Sequence, residues 1–212
     1  MIDEARRHVF SEDVRALSES GSQRSYRKGT LLIAEGDAGD TLYVILSGTL
    51  RAFSADANGR EITYGIYGPG EYLGEMSLDG GLRSASVEAV EATVCAVVTR
   101  ETLRRYIGAH PDFAFELLAK VIRRARMATL SAKHLALNDV YGRMRLLFGS
   151  LGTVRPDGMR AITERFTHAD LASRVGCSRE MVSRVMKDLE KGGYLQREGK
   201  QIIVRATLPA RW

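Results

Sequence analysis

From Asp112 to Leu137 the chain contains neither glycine nor proline. Along it Leu117, Val121, Ala128 and Leu135 recur at intervals of four and seven, which is one stripe of a helix. Arg124 and Ser131 interrupt that stripe. A helix of this length spans ~40 Å, too long for a small domain to cover. The stripe is therefore expected to pair with its copy in a second subunit; the alternative is a core helix laid across the domain before it.

The two flanks differ in texture. Residues 3–19 carry Val9, Phe10, Val14 and Leu17 at roughly helical spacing and predict an opening helix. From Gln23 to Thr99, short β-rich runs (TLLIAEG, TLYVILSGTLRAF, EITYGIYGPG, SVEAVEATVCAVVT) alternate with turns bearing Gly and Asp. The Asn58-Gly59 pair is a hairpin signal. Strands at such regular spacing predict a small antiparallel barrel or roll. After Asn138 come a helix over Val140 to Leu151, the loop GTVRPDG, two helices separated by a turn, and the short strands YLQRE and QIIVR around Gly199. The expected class is α+β, with a β-roll domain over 1–110, a long helix and hinge over 111–138, and a winged helix-turn-helix over 139–212.

The segment THADLASRVGCSREMVSRVMKDLEKGGYL is the most specific in the chain. Thr167 is placed to cap a helix, with Asp170 three positions on. Ala169, Leu171, Ala172 and Val175 give that helix a packing face, Gly176 stops it, and Ser178 caps the next. Val182, Val185, Met186 and Leu189 form the buried side of the second helix; Arg179, Glu180, Ser183, Arg184 and Lys187 fall opposite. An exposed helix face with Arg near its start and again one turn later suits major-groove reading, because Arg offers paired donors to guanine and Glu accepts from cytosine. The expected DNA contacts are Thr167, His168, Ser178, Arg179, Glu180, Ser183, Arg184 and Lys187. A helical hairpin with a solvated charged face is the plainer alternative. Charge favours the polyanion: residues 139–212 hold fourteen Lys/Arg against eight Asp/Glu, while residues 1–138 hold seventeen against eighteen.

Other classes lack their signatures. No apolar run approaches the ~18 residues of a membrane span, and acids precede any apolar stretch at the N-terminus, so a cytoplasmic protein is expected. Cys95 and Cys177 stand alone, which excludes a disulfide framework or an all-cysteine iron–sulfur cluster. There is no HExxH, no P-loop and no metal-ligand spacing of His and Asp, so neither an enzyme nor a metal protein is expected. No haem-ligand arrangement is evident, His8 being the one residue left open.

One further stretch, GEMSLDGGLRSA (Gly74 to Ala85), resembles the phosphate-binding cassette of cyclic-nucleotide domains: Gly-Glu, a variable loop, then Arg-Ser-Ala. With VGCSREMVSRV and DVYGRMRLL it makes nearly the whole chain resemble the cyclic-AMP receptor (Crp-Fnr) family of bacterial transcription regulators. The resemblance implies a dimer that binds double-stranded DNA and is switched allosterically by a cyclic nucleotide. Cyclic AMP is the expected effector, cyclic GMP or cyclic di-GMP the alternative, and a ligand-independent winged-helix protein a further one. In that reading Arg83 clamps the phosphate bidentately, and the N–H groups of Ser84 and Ala85 cradle it. Glu75 accepts the ribose hydroxyl and can orient Arg83, and Gly74 admits close backbone approach. Met76, Ala128 and Thr129 complete the expected pocket. The loop is two residues shorter than in the best-known member, and Ala128-Thr129 stands where that member has Thr-Ser. The resemblance also implies that Arg179, Glu180 and Arg184 read a TGTGA-like half-site of a palindrome, and that the loop Arg155 to Arg160 touches RNA polymerase.

Overall fold

The computed structural model describes residues 10–199, 201–205 and 207–209. Residues 3–9 of the expected opening helix, and His8 with them, lie outside the described residues. The helix is seen as α1 (Glu12–Glu19), started by Ser11, whose hydroxyl accepts from the Val14 N–H. The chain divides into two compact units: residues up to Ser54 with Thr63–Met127, and Ala55–Ile62 with Ala128 onward.

The first unit holds two antiparallel sheets. One is ordered β1 (Ser22–Tyr26), β8 (Thr93–Thr99), β3 (Thr41–Ser47), β6 (Tyr72–Leu73). The other runs β2 (Leu31–Ile33), β7 (Ser86–Ala89), β4 (Leu50–Ala55), β5 (Glu61–Tyr67). Side chains on a strand alternate between faces, and β3 and β8 use both. Leu42, Val44, Ala96 and Val98 face a cluster with Val14 and Leu17 of α1, while Ile45 and Cys95 face Leu50, Ala52, Val87 and Ala89 of the other sheet. The expected Asn-Gly hairpin joins β4 to β5, with Asp56 Oδ1 accepting from the N–H groups of Asn58 and Arg60, each at 2.9 Å.

A helix that the sequence pattern did not announce, α2 (Arg100–Ala109), follows β8 and sends Leu103 and Tyr106 into the first cluster. Next comes α3 (Asp112–Leu137), unbroken as expected. Its Phe113 is buried and Leu117 packs against the same cluster. The Leu117 side of α3 thus covers the roll. Of the stripe expected to face a second subunit, Leu117 packs on the roll, Val121 is half-buried, and Ala128 and Leu135 are exposed.

The second unit contains α4 (Val140–Ser150), β9 (Thr153–Val154), β10 (Met159–Ile162), α5 (His168–Val175), α6 (Arg179–Lys191), β11 (Leu195–Glu198) and β12 (Gln201–Arg205). Asp139 caps α4 by accepting from the Gly142 N–H at 2.7 Å. The expected two-stranded wing is half of a four-stranded sheet ordered β11-β12-β10-β9, so the stretch GTVRPDG, read as a loop, holds β9 and the turn of a second hairpin. Ile202 and Val204 of β12 and Ile162 of β10 join Met144, Phe148, Leu171, Val182, Met186 and Leu189 in one core. No helix among the described residues is long and apolar enough to cross a membrane.

Candidate functional sites: a buried guanidinium and an exposed basic helix

Strand β6 ends at Gly74, whose φ of +98° lies where side-chain-bearing residues are disfavoured. A Cβ there would fall on the Thr41 carbonyl and 2.7 Å from Arg83 Nη1, so glycine is required for packing as well. A single 3-10 turn, Glu75–Ser77, then carries Glu75 inward. Glu75 and Arg83 are both buried, at 5% and 7% exposure, yet they do not pair. Arg83 Nη1 donates to Gly74 O at 3.0 Å and Ser77 Oγ at 2.9 Å; Nη2 donates to the carbonyl and hydroxyl of Thr41, each at 3.0 Å. All four acceptors are neutral. Glu75 Oε1 instead accepts from Arg124 Nη1 of α3, and Arg124 Nη2 donates to Tyr72 O at 2.6 Å.

This corrects two expectations. Arg124, which looked like a flaw in an apolar stripe, is the partner that orients Glu75. Both Nη groups of Arg83 are committed to the protein, so a bidentate grip on a phosphate requires exchanging some of these acceptors. Such exchange is favourable, since bonds between ionised groups are roughly twice as strong as those to neutral ones. Glu75 Oε2 and Tyr72 Oη are buried without a hydrogen-bond partner among the described residues. Lys120, one turn before Arg124, lays its Nζ 3.9 Å from the centre of the Tyr72 ring. Burial, with Arg124 adding to it, lowers the Lys120 ammonium to about 8. Ser84 and Met76 are exposed and Ala85 half-buried. Ala128 and Thr129 are exposed on α3 and fall in the second unit.

In the second unit, Thr167 and Asp170 form a capping box at the start of α5: Asp170 N donates to Thr167 Oγ1 at 3.1 Å, and Thr167 N to Asp170 Oδ2 at 2.7 Å. The Thr167 hydroxyl also donates to Asp170 Oδ2 at 2.7 Å, so it is spent on the cap. Gly176, at φ +66°, ends α5, and Ser178 caps α6 by accepting from the Met181 N–H at 3.3 Å. Arg143 locks this turn in place: Nε donates to Val175 O at 2.7 Å and Nη1 to Asn138 O at 2.8 Å. Val182, Val185, Met186 and Leu189 are buried, as the pattern predicts. Arg179, Glu180, Arg184 and Lys187 are exposed and Ser183 is half-buried. Glu180's own backbone N–H, then the Ser178 hydroxyl, hold its carboxyl below the usual range. His168 contacts Ser183 on one side and Arg197 of β11 on the other. Arg197 and Arg124 escaped sequence reasoning, though Arg124 had a visible signal as a charge inside an apolar stripe.

The loop Arg155 to Arg160 is partly tied down. Arg155 pairs with Asp157 at 3.3 Å and Glu198 at 3.1 Å, and Arg160 Nη1 donates to Leu151 O at 3.3 Å. Its exposed tip is Pro156 to Gly158. No group of three or more His, Cys, Asp and Glu among the described residues is arranged to hold a metal ion.

Residues 23–110 match the cyclic nucleotide-binding domain, and residues 144–207 match the Crp-like helix-turn-helix domain. The chain is 30% identical over 196 residues to the CRP-like cAMP-activated global transcriptional regulator of Mycobacterium tuberculosis, covering 90% of this chain and 87% of that one. It is 32% identical over 189 residues to the cAMP-activated global transcriptional regulator CRP of Escherichia coli, covering 86% and 89%. Among solved structures, the c-di-GMP-responsive global regulator CLP of Xanthomonas campestris superposes with a TM-score of 0.80 at 26% identity, over 92% of this chain and 99% of that one. The Thermus thermophilus catabolite activator protein superposes with a TM-score of 0.54 at 34% identity, over 92% and 90%. With both domains matched in order and relatives similar over most of its length, the chain belongs to the Crp-Fnr family of transcription regulators, a cyclic nucleotide-binding domain followed by a Crp-like helix-turn-helix.

Proposed function

We propose that this regulator is a two-fold homodimer switched by cyclic AMP, and that it binds palindromic DNA with TGTGA-like half-sites. The observation that carries the effector site is Arg83: a guanidinium at 7% exposure whose bonded partners are all neutral oxygens. A buried charge is costly unless another charge meets it. A cyclic phosphate is the anion of fitting size beside a loop as short as Gly74 to Ala85, and Glu75 Oε2 is the acceptor left for a ribose hydroxyl. Two relatives are cAMP-activated by name, which supports cyclic AMP over the alternatives. Thr129, from either subunit, supplies a hydroxyl for the purine edge.

A second effector, cyclic di-GMP, is favoured by one specific feature: α3 offers a single hydroxyl at Ala128-Thr129, and a solved relative responds to that dinucleotide. Calorimetry of the ligand-free protein against cyclic AMP, cyclic GMP and cyclic di-GMP decides among them. Tight binding of cyclic AMP alone is expected; binding of none of the three would leave a ligand-independent regulator.

Exposure on α3 supports the dimer. Phe115, Leu118 and Ile122 are 72%, 53% and 41% exposed. At intervals of three and four the same face continues through Ala125, Thr129, Ala132 and Ala136. That is a heptad seam one residue round the helix from the Leu117 stripe. The long helix and hinge over 111–138 would then join the two domains. Effector binding shifts an equilibrium between placements of the DNA-binding domains through differential contacts to each state. At the DNA, Arg179 and Arg184 each address guanine and Glu180 a cytosine amino group. The tip Pro156 to Gly158 is the part of its loop free to meet RNA polymerase.

A further inference from the structure

Three polar side chains from three elements meet beside α6: His168 at the first position of α5, Ser183 within α6, and Arg197 on β11. His168 Nδ1 lies 2.7 Å from Ser183 Oγ, and Nε2 lies 3.3 Å from Arg197 Nη2. A guanidinium has donors and no acceptor, so it bonds Nε2 only where that nitrogen presents its lone pair. The imidazole proton is then on Nδ1, which donates to Ser183 Oγ. Because Oγ accepts, the hydroxyl proton is left to be given elsewhere. A helical serine commonly returns it to the carbonyl four residues back, but the Ser183 hydroxyl has no hydrogen bond besides that to His168 among the described residues. Glu190, in the last turn of α6, accepts from Arg197 Nε at 3.3 Å and keeps the guanidinium turned toward the imidazole.

We infer that Arg197, His168 and Ser183 form a one-way relay of donors that makes Ser183 an obligate hydrogen-bond donor to an acceptor atom on DNA. This rests on the reading of α6 as the DNA-facing helix. Ser183 shares that face with Arg179, one turn earlier, and adjoins Arg184. Its target is a phosphate oxygen or the acceptor edge of guanine or thymine. His168 and Arg197 are positioning residues: they hold the hydroxyl's orientation, and Arg197 ties the wing to the recognition helix in the same bond.

The test uses the full chain, its effector, and a duplex selected from randomised DNA by the parent protein, with affinity read by fluorescence anisotropy. Ser183→Ala and His168→Phe are each expected to weaken binding about five- to tenfold per half-site, the loss of one net hydrogen bond. The double variant should lose no more than either single one, since both break the same relay. His168→Asn, whose amide N–H reaches Ser183 from the same side, should recover most of the affinity. Full affinity in Ser183→Ala, or additive losses in the double variant, overturns the relay. Should His168→Phe prove unfolded by circular dichroism, Arg197→Met carries the test: freed of the guanidinium, the imidazole can take either tautomer, and binding should weaken by a similar factor, whereas unchanged binding overturns the proposal. Methylphosphonate substitution along the duplex separates the targets. One neutralised phosphate that costs the parent affinity but costs Ser183→Ala nothing marks a phosphate; one base preference that vanishes in Ser183→Ala marks a base edge; the absence of both overturns the assignment. Arg184→Ala is the separate control, since unchanged base preference there would fault the reading of α6 itself.

Discussion

Replacing Arg83 by leucine removes a cation that is buried and whose hydrogen bonds among the described residues all end on uncharged oxygens. Two consequences are separable. In the ligand-free protein the variant loses four hydrogen bonds and leaves Ser77 and Thr41 short of donors, each costing ~1–3 kcal/mol. It also removes a desolvated charge that nothing neutralises, which offsets much of that loss. The net destabilisation should therefore be small, about 1–3 kcal/mol. With nucleotide the balance changes, because the phosphate then becomes the uncompensated partner. Breaking a buried charge pair costs ~3–5 kcal/mol, a loss of roughly two to nearly four orders of magnitude in affinity. The assay is thermal unfolding with and without cyclic AMP, read beside calorimetry. At a hundred times Kd a ligand stabilises its protein by ~2.7 kcal/mol; the parent should show that gain and Arg83→Leu none. Arg83→Lys restores charge without the planar fork and should fall between. Equal ligand-induced stabilisation of parent and Arg83→Leu refutes the pocket.

Ile122→Asp places a charge in the proposed seam of α3 and should yield a monomer by sedimentation at micromolar concentration; an intact dimer would put the interface elsewhere. Arg184→Ala should cost ~1–3 kcal/mol per half-site and flatten preference at one base in randomised-site selection. Lys187, exposed on the same helix and proposed here to meet a phosphate rather than a base, should when lost weaken all sequences alike and reduce the salt slope. Lys120 has a folded pKa of about 8, below its ordinary 10.5, because burial disfavours the ammonium. Its unfolded form therefore binds more protons between those values, and its penalty, full below about 8, is relieved as pH rises through that window. Lys120→Met should be the more stable protein at pH 7, with the difference shrinking toward pH 10; a pH-independent difference would contradict the burial argument.

Local chemistry determined much of this protein from the sequence alone. Thr167 with Asp170, Gly176 and Ser178 each satisfy or end helix termini using their own backbone neighbours, so the helix-turn-helix is legible wherever those residues stand at that spacing. The alternation on β3 and β8, the Asn58-Gly59 turn and the unbroken helix over Asp112–Leu137 are local in the same sense. The cassette was legible as a spacing of Glu75 and Arg83, but their partners were not. Burial brings Arg124, forty-nine positions away, onto Glu75, and Thr41, forty-two positions away, onto Arg83. No periodicity within one segment encodes pairings over such separations. Which stripe of α3 faces the roll was likewise undecidable from helical spacing, since Leu117 and Leu118 are both apolar and adjacent. Packing against the sheet chose Leu117, and the same choice turned Arg124 inward to Glu75 and left Leu118 and Ile122 to the outside. Local hydrogen bonding is written in neighbouring residues; the pairing of buried charges is decided only when the chain closes around them.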